Sequence, residues 1–222
     1  AGESQIVGNG MTVLRNNFGT TDESVLFAGF GGPSGIVDRE RNHHSDIGDF
    51  SFVWRGVPLI VHDGFSGNGC SENFMNSKAW RHNIVVGNGL GKSPVIADRT
   101  NIVSQLADST TKITADFYPD GICQFLTTDQ MDYVSGKVCP VRGDTSVEPY
   151  YRHFLYIKPD ALVIWDQWTS AAQYEWNLWI PVERVRTKKD KLRLMTKYGV
   201  DLEVLLSGAG TIDYNADKPI RQ

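Results

Sequence analysis

Short apolar or alternating runs, each closed by Gly, Pro, Asn or Asp, recur along all 222 residues, and no stretch keeps a 3.6-residue period. A period of two puts alternate side chains on opposite faces of an extended chain, so the chain is expected to be all-β. Strands are expected at residues 12–15, 24–30, 49–55, 58–62, 82–86, 112–117, 150–157, 161–167, 175–180, 191–197 and 201–206. So many antiparallel strands can bury their apolar faces only against each other, in a two-sheet β-sandwich. A length of 222 residues suits one such domain, residues 1–222, with a core that needs no disulfide support.

Two turns are marked by proline. Arg55-Gly56-Val57-Pro58 is expected to close a hairpin, and Lys158-Pro159-Asp160 to link two strands. Whether the hairpin loop holds two or four residues, cross-strand partners differ in parity. A regular ladder therefore sets His44, Asp46, Phe50, Phe52 and Trp54 on one face with Leu59, Val61 and Asp63. His44 would still lie roughly 13 Å from Asp63 along the strand, at about 3.3 Å per residue. Bringing them together needs a bend between His44 and Gly48, for which the glycine is suited. Residues 64–76 and 87–93 read as long exposed loops of the kind that carry function.

Four of the five histidines, His43, His44, His62 and His82, occur in Asn42-His43-His44-Ser45-Asp46-Ile47-Gly48-Asp49-Phe50, Val61-His62-Asp63-Gly64 and Trp80-Arg81-His82-Asn83. Imidazoles and carboxylates on buried strands are costly without partners, and a bound metal would supply one. His44, Asp63 and His82, 19 residues apart in each interval, offer two nitrogens and one oxygen, leaving a fourth tetrahedral position for water. The same residues also suit ordinary roles, with His44 and Asp46 bonding turn backbone, Asp63-Gly64 ending a strand and His82 satisfied by a carbonyl in the core. Alternation turns His43 and His62 to the other face, and His153 reads as core or surface.

With 22 basic and 26 acidic residues the net charge is −4, so no global field favours nucleic acid or an anionic membrane. Arg39, Arg41, Lys78 and Arg81, near the histidine segments, are a local basic patch or plain surface charge. No apolar run is long enough to span a bilayer, and Ala1-Gly2-Glu3-Ser4-Gln5 has no signal-peptide character. Cys70, Cys123 and Cys139 are too few for a disulfide framework, although Cys123 could pair with Cys139. Arg142-Gly143-Asp144 reads as a turn. Trp165, Trp168, Trp176 and Trp179 resemble a sugar-stacking set, yet Trp165 and Trp179 alternate with aliphatic residues and are expected in the core. Gly29, Gly31 and Gly32 follow a strand without a helix after them, which argues against a dinucleotide site.

At the three histidine segments the chain resembles the heparinase II/III-like polysaccharide lyases. These carry H-x-H-x-D-x-G-x-F, then a hairpin ending in Asp-x-Gly or Asp-Gly, then Arg-x-x-His-Asn or His-Asn. The likeness continues through Tyr151-Arg152-His153-Phe154-Leu155-Tyr156-Ile157-Lys158-Pro159-Asp160 and Leu162-Val163-Ile164-Trp165-Asp166. The resemblance implies the antiparallel β-sandwich that follows an α/α-toroid in that family, with zinc held by His44, Asp63 and His82 and serving mainly to organise the cleft. It also implies a uronate-bearing anionic polysaccharide as substrate, cleaved by β-elimination, and a periplasmic or secreted location. Arg41 and Arg81 are the candidate substrate-binding residues.

Two departures qualify the carry-over. Asn42 stands where the family has the histidine that faces the substrate; an amide cannot shuttle a proton but can donate a hydrogen bond, which makes Asn42 the candidate catalytic residue. No toroid accompanies the sandwich in these 222 residues. The family's toroid supplies the asparagine, histidine and tyrosine that neutralise the uronate, take its C5 proton and protonate the leaving oxygen, so these residues alone are expected to turn over little. Other readings are a non-catalytic carbohydrate-binding or structural module that retains fold and zinc, and a zinc hydrolase with Asp46 or Asp49 as base.

Overall fold

Fourteen strands and no helix account for the regular structure of the described residues in a computed structural model of the chain. These residues are 4–7, 10–30, 48–61, 82–87, 121–138, 150–167, 174–188 and 190–207. By contacts the chain falls into two compact units, Ala1–Trp179 and Ile180–Gln222.

In the first unit, β1 (Gln5–Val7), β2 (Met11–Asn16), β3 (Ser24–Gly29), β4 (Phe50–Trp54) and β5 (Val57–Ile60) form an antiparallel sheet in chain order. A second antiparallel sheet has the order β10-β9-β8-β7, from β7 (Ile122–Thr127), β8 (Met131–Val138), β9 (Tyr150–Ile157) and β10 (Ala161–Gln167). β6 (Val85–Gly87) pairs with β11 (Tyr174–Trp176). The second unit is a meander of β12 (Val182–Lys188), β13 (Lys191–Thr196) and β14 (Asp201–Leu205), in which Leu194 and Thr196 are buried.

Alternation builds the sandwich core. Leu14, Leu26 and Phe52 are cross-strand neighbours on the inner face of the first sheet, as are Thr12, Ala28 and Phe50, and all six are buried. On β9 the buried positions are Tyr150, Arg152, Phe154 and Tyr156, while Tyr151 and His153 face outward. The two inner faces meet through edge-to-face aromatic pairs, Phe50 with Phe154 at 5.1 Å, Phe30 with Phe154 at 5.9 Å and Phe52 with Tyr156 at 5.6 Å. Each such pair contributes about 0.5–1.5 kcal/mol beyond its buried area.

Strands β9 and β10 occupy the residues expected of them, 150–157 and 161–167. β1, β7, β8 and β12 were not foreseen. β8 hides its nature by carrying Asp132, Ser135 and Gly136 at buried positions. Asp132 is tolerated because it accepts hydrogen bonds from Ser4 Oγ (2.5 Å) and Thr127 Oγ1 (2.6 Å) and pairs with Lys158 Nζ (2.9 Å). Gly136 is required because a Cβ there would sit 2.1 Å from Phe30 Cδ1 and 2.6 Å from the Gly121 carbonyl. The expected strand at 112–117, and the expected loops apart from Gly87, lie outside the described residues.

The first hairpin departs from expectation in two ways. Arg55 and Gly56 alone form the loop, both with positive φ (47° and 75°), the conformation of a two-residue type I′ turn. Pro58 is therefore no turn residue but lies inside β5 opposite Val53, where an edge strand accommodates its missing N–H. A bulge then shifts the register, so that Trp54 pairs with Val57 but Phe52 with Ile60, and Leu59 and Ile60 are both buried. The shift reverses parity beyond the bulge. The regular-ladder argument that set Asp63 on the face of Phe50 therefore fails, and Asp63 itself lies outside the described residues.

Trp165 is a further correction. It stands on the outer face of the second sheet, 40% exposed, and stacks on its cross-strand neighbour His153 at 4.4 Å with the rings 2° from parallel. Alternation with aliphatic residues did place it on one face of β10, but the less exposed face is that of Leu162, Ile164 and Asp166. Trp179 is half-buried. Cys123 is exposed on β7, and its suggested partner Cys139 lies outside the described residues.

Candidate metal centre

Of the residues expected to form the site, His82 is described, whereas Arg41, Asn42, His44, Asp63 and Arg81 lie outside the described residues, as do His43, Asp46 and His62. His82 opens a bend just before β6 and is buried. Its Nδ1 is 2.7 Å from Asp49 Oδ2, in the residue preceding β4.

Asp49 is the hub of this arrangement. Its other oxygen, Oδ1, accepts the backbone N–H of Asn83 at 2.8 Å and that of Phe50 at 2.7 Å. One carboxylate thus fixes the His82 ring and the backbone on either side of the contact. With Nδ1 engaged by a carboxylate, Nε2 is the nitrogen through which His82 would hold a metal, the arrangement commonly found behind metal-binding imidazoles. A tetrahedral zinc site also takes carboxylate oxygen and further imidazole nitrogen, the donor types of Asp63 and His44. The donor chemistry of His82 and its carboxylate-held ring fit a zinc ligand. Among the described residues alone no group of three metal-binding side chains occurs.

Asn83, fully buried, locks the neighbouring backbone. Its Nδ2 donates to the carbonyls of Phe50 (2.8 Å) and Val61 (3.3 Å), and its Oδ1 accepts the Trp179 N–H (2.6 Å). Gly48, with φ of 87°, allows the turn into β4. A Cβ at this position would lie 3.0 Å from Val138 Cγ2 and 3.3 Å from the Tyr150 hydroxyl.

Beneath these segments lies Arg152, the largest fully buried side chain among the described residues. Nε and Nη2 donate to Asp166 Oδ1 (2.7 Å) and Oδ2 (2.9 Å), and Nη1 donates to the carbonyls of Gly48 and Asn83, each at 2.6 Å. The rings of Phe50, Tyr150 and Phe154 surround the guanidinium, with centroids 5.7–6.0 Å from Cζ. Burial works against its charge, but Tyr150 and Asp166 beside it more than offset this, so its pKa is raised and it stays protonated. Burial pushes the Tyr150 phenol up to about 12, the Arg152 charge opposing the shift only in part.

Asp49 and Arg152 acquire roles that the sequence reading did not assign. The sequence suggests Asp49 only as a hydrolytic base, and with both oxygens engaged it is poorly placed for that work. The signal for Arg152 was present in its parity: it alternates with Tyr150, Phe154 and Tyr156 on an otherwise aromatic face, and Asp166 has the matching position on the next strand.

No family model matches the sequence, and no curated protein matches it. Solved structures do. A heparinase III gene product matches with a TM-score of 0.62 and 12% identity over 90% of this chain and 28% of that one. The heparan sulfate lyase HepC from Pedobacter heparinus matches with a TM-score of 0.60 and 13% identity over 94% of this chain and 29% of the lyase. Another heparinase III structure gives a TM-score of 0.57 at 14% identity. The chain spans less than a third of the length of these structures. At such identities the likeness shows architecture, and the architecture is a distant heparinase-like β-sandwich.

Proposed function

We propose that the chain is the zinc-bearing β-sandwich of a polysaccharide lyase that cleaves a uronate-containing anionic glycan by β-elimination together with a helical toroid. The observation that carries this reading is the buried His82, oriented by Asp49, within a fold shared with a heparinase III and a heparan sulfate lyase. His44, Asp63 and His82 hold the zinc, whose charge orders the loops around the cleft. Asn42 donates a hydrogen bond to the glycan, and Arg41 and Arg81 bind its anionic groups.

Abstraction of a proton beside a carboxylate requires donors aimed at the developing dianion. In this reading the toroid supplies most of them, so the 222 residues bind glycan without rapid turnover. A periplasmic or secreted location follows from the substrate class, and no described helix is long and apolar enough to cross a membrane. The test pairs calorimetric titration with heparan sulfate and alginate with ultraviolet detection of unsaturated uronate, on the chain alone and on a longer polypeptide that includes a toroid. Binding by the chain and turnover only by the longer form are expected. Turnover by the chain alone refutes the division of labour, and binding without turnover by the longer form favours a non-catalytic glycan-binding module.

A further inference from the structure

We propose that Arg152 and Asp166 are a positioning pair, a buried latch that sets the geometry of the Asp49–His82 contact from the opposite sheet. The inference rests on the zinc reading only for its consequence, because the latch itself is stated in protein atoms. Arg152 Nη1 reaches the Gly48 carbonyl, one residue before Asp49, and the Asn83 carbonyl, one residue after His82. A single nitrogen thus ties together the two backbone segments whose side chains meet at 2.7 Å. The Asn83 N–H bond to Asp49 Oδ1 closes the circuit from the other side.

Asp166 sets the direction of that nitrogen. It is the cross-strand partner of Arg152 on β10, and its two oxygens grip Nε and Nη2, leaving Nη1 aimed at the carbonyls. The planar guanidinium fork makes both contacts at once; a lysine ammonium, a single point with no fixed fork, cannot. Four of the five N–H donors of Arg152 are engaged in this way. The pair also lies within the core, Arg152 at 0% and Asp166 at 5% side-chain exposure, so water does not compete for its geometry.

The test uses the whole chain as wild type, Asp166→Asn, Arg152→Lys and Val134→Ala, the last a core truncation that lowers stability and leaves every hydrogen bond of the latch in place. Two signals are read: the nitrogen NMR shifts of His82, which report its Nδ1 bond to Asp49, and the visible spectrum and affinity of bound cobalt(II), a spectroscopic stand-in for zinc. In Asp166→Asn the His82 shifts are expected to move, and cobalt to bind about 10- to 100-fold more weakly. Arg152→Lys should do the same if folded, and Val134→Ala should lose stability with both signals intact. Unchanged His82 shifts and cobalt affinity in folded Asp166→Asn overturn the proposal, leaving the pair a stability element only. Should the wild type bind no cobalt, the zinc reading fails, and the latch is judged by the His82 shifts alone: movement in Asp166→Asn upholds it and constancy overturns it.

Discussion

Replacing Asn83 by alanine measures how strongly the site is knitted to the sandwich. The side chain makes three hydrogen bonds from a fully buried position, to the Phe50 and Val61 carbonyls and from the Trp179 N–H. A buried polar group left unmatched costs about 1–3 kcal/mol. Trp179 is half-buried and can recruit water, so one to two groups bear the full penalty, for an expected loss of about 2–4 kcal/mol. With a urea m-value of about 2 kcal/mol/M the midpoint falls by about 1–2 M. Tryptophan fluorescence is the right probe, because all six tryptophans, at 54, 80, 165, 168, 176 and 179, belong to the first compact unit. Asn83→Asp keeps the acceptor for Trp179 but turns a carboxylate towards two carbonyls, and should be no more stable than the alanine variant. A midpoint shift below about 0.3 M in Asn83→Ala, the size of an ordinary surface change, would refute the reasoning.

Gly136→Ala is expected to destabilise by at least about 1–3 kcal/mol, because the new methyl collides with Phe30 and with the Gly121 backbone; equilibrium urea unfolding checks it. Raising the pH from 10 to 12 should erode stability by roughly 2 kcal/mol through Tyr150, which keeps its proton up to about 12 in the fold while the unfolded chain releases it near 10.0; Tyr150→Phe should remove that share of the slope from a denaturation series. His153 should titrate below the usual 6.5, because burial disfavours its cation; its stabilising share is complete above the unfolded value and lost as pH falls, and imidazole proton NMR reads the titration directly.

Period-two patterning made most strands legible, most fully at β9 and β10, where alternation is unbroken and the turn between them is marked. It failed where a fold-specific contact licenses an unusual residue. Asp132 and Gly136 spoil the apolar pattern of β8, and Lys158, Ser4 and Phe30, distant in sequence, together with the nearby Thr127, explain them. β12, Val182–Lys188, carries four charged residues within a mostly exposed strand, so no buried face declares itself. The hairpin bulge was invisible for a related reason: parity extrapolated through a regular ladder cannot detect one extra residue, and that residue decides which side chains share a face. Of the histidine segments that the sequence singles out, His82 is the described member, and it is buried. Its support was not, because Asp49 and Arg152 act on His82 through contacts 33 and 69 or more residues apart.

The central claim is that His82, held by Asp49, belongs to a metal centre. Elemental analysis of the purified chain after zinc loading and exhaustive dialysis, with His82→Ala alongside, tests it most directly. The account predicts one zinc per wild-type chain and its loss from folded His82→Ala; a wild type without stoichiometric zinc, or a variant that retains it, would contradict the account.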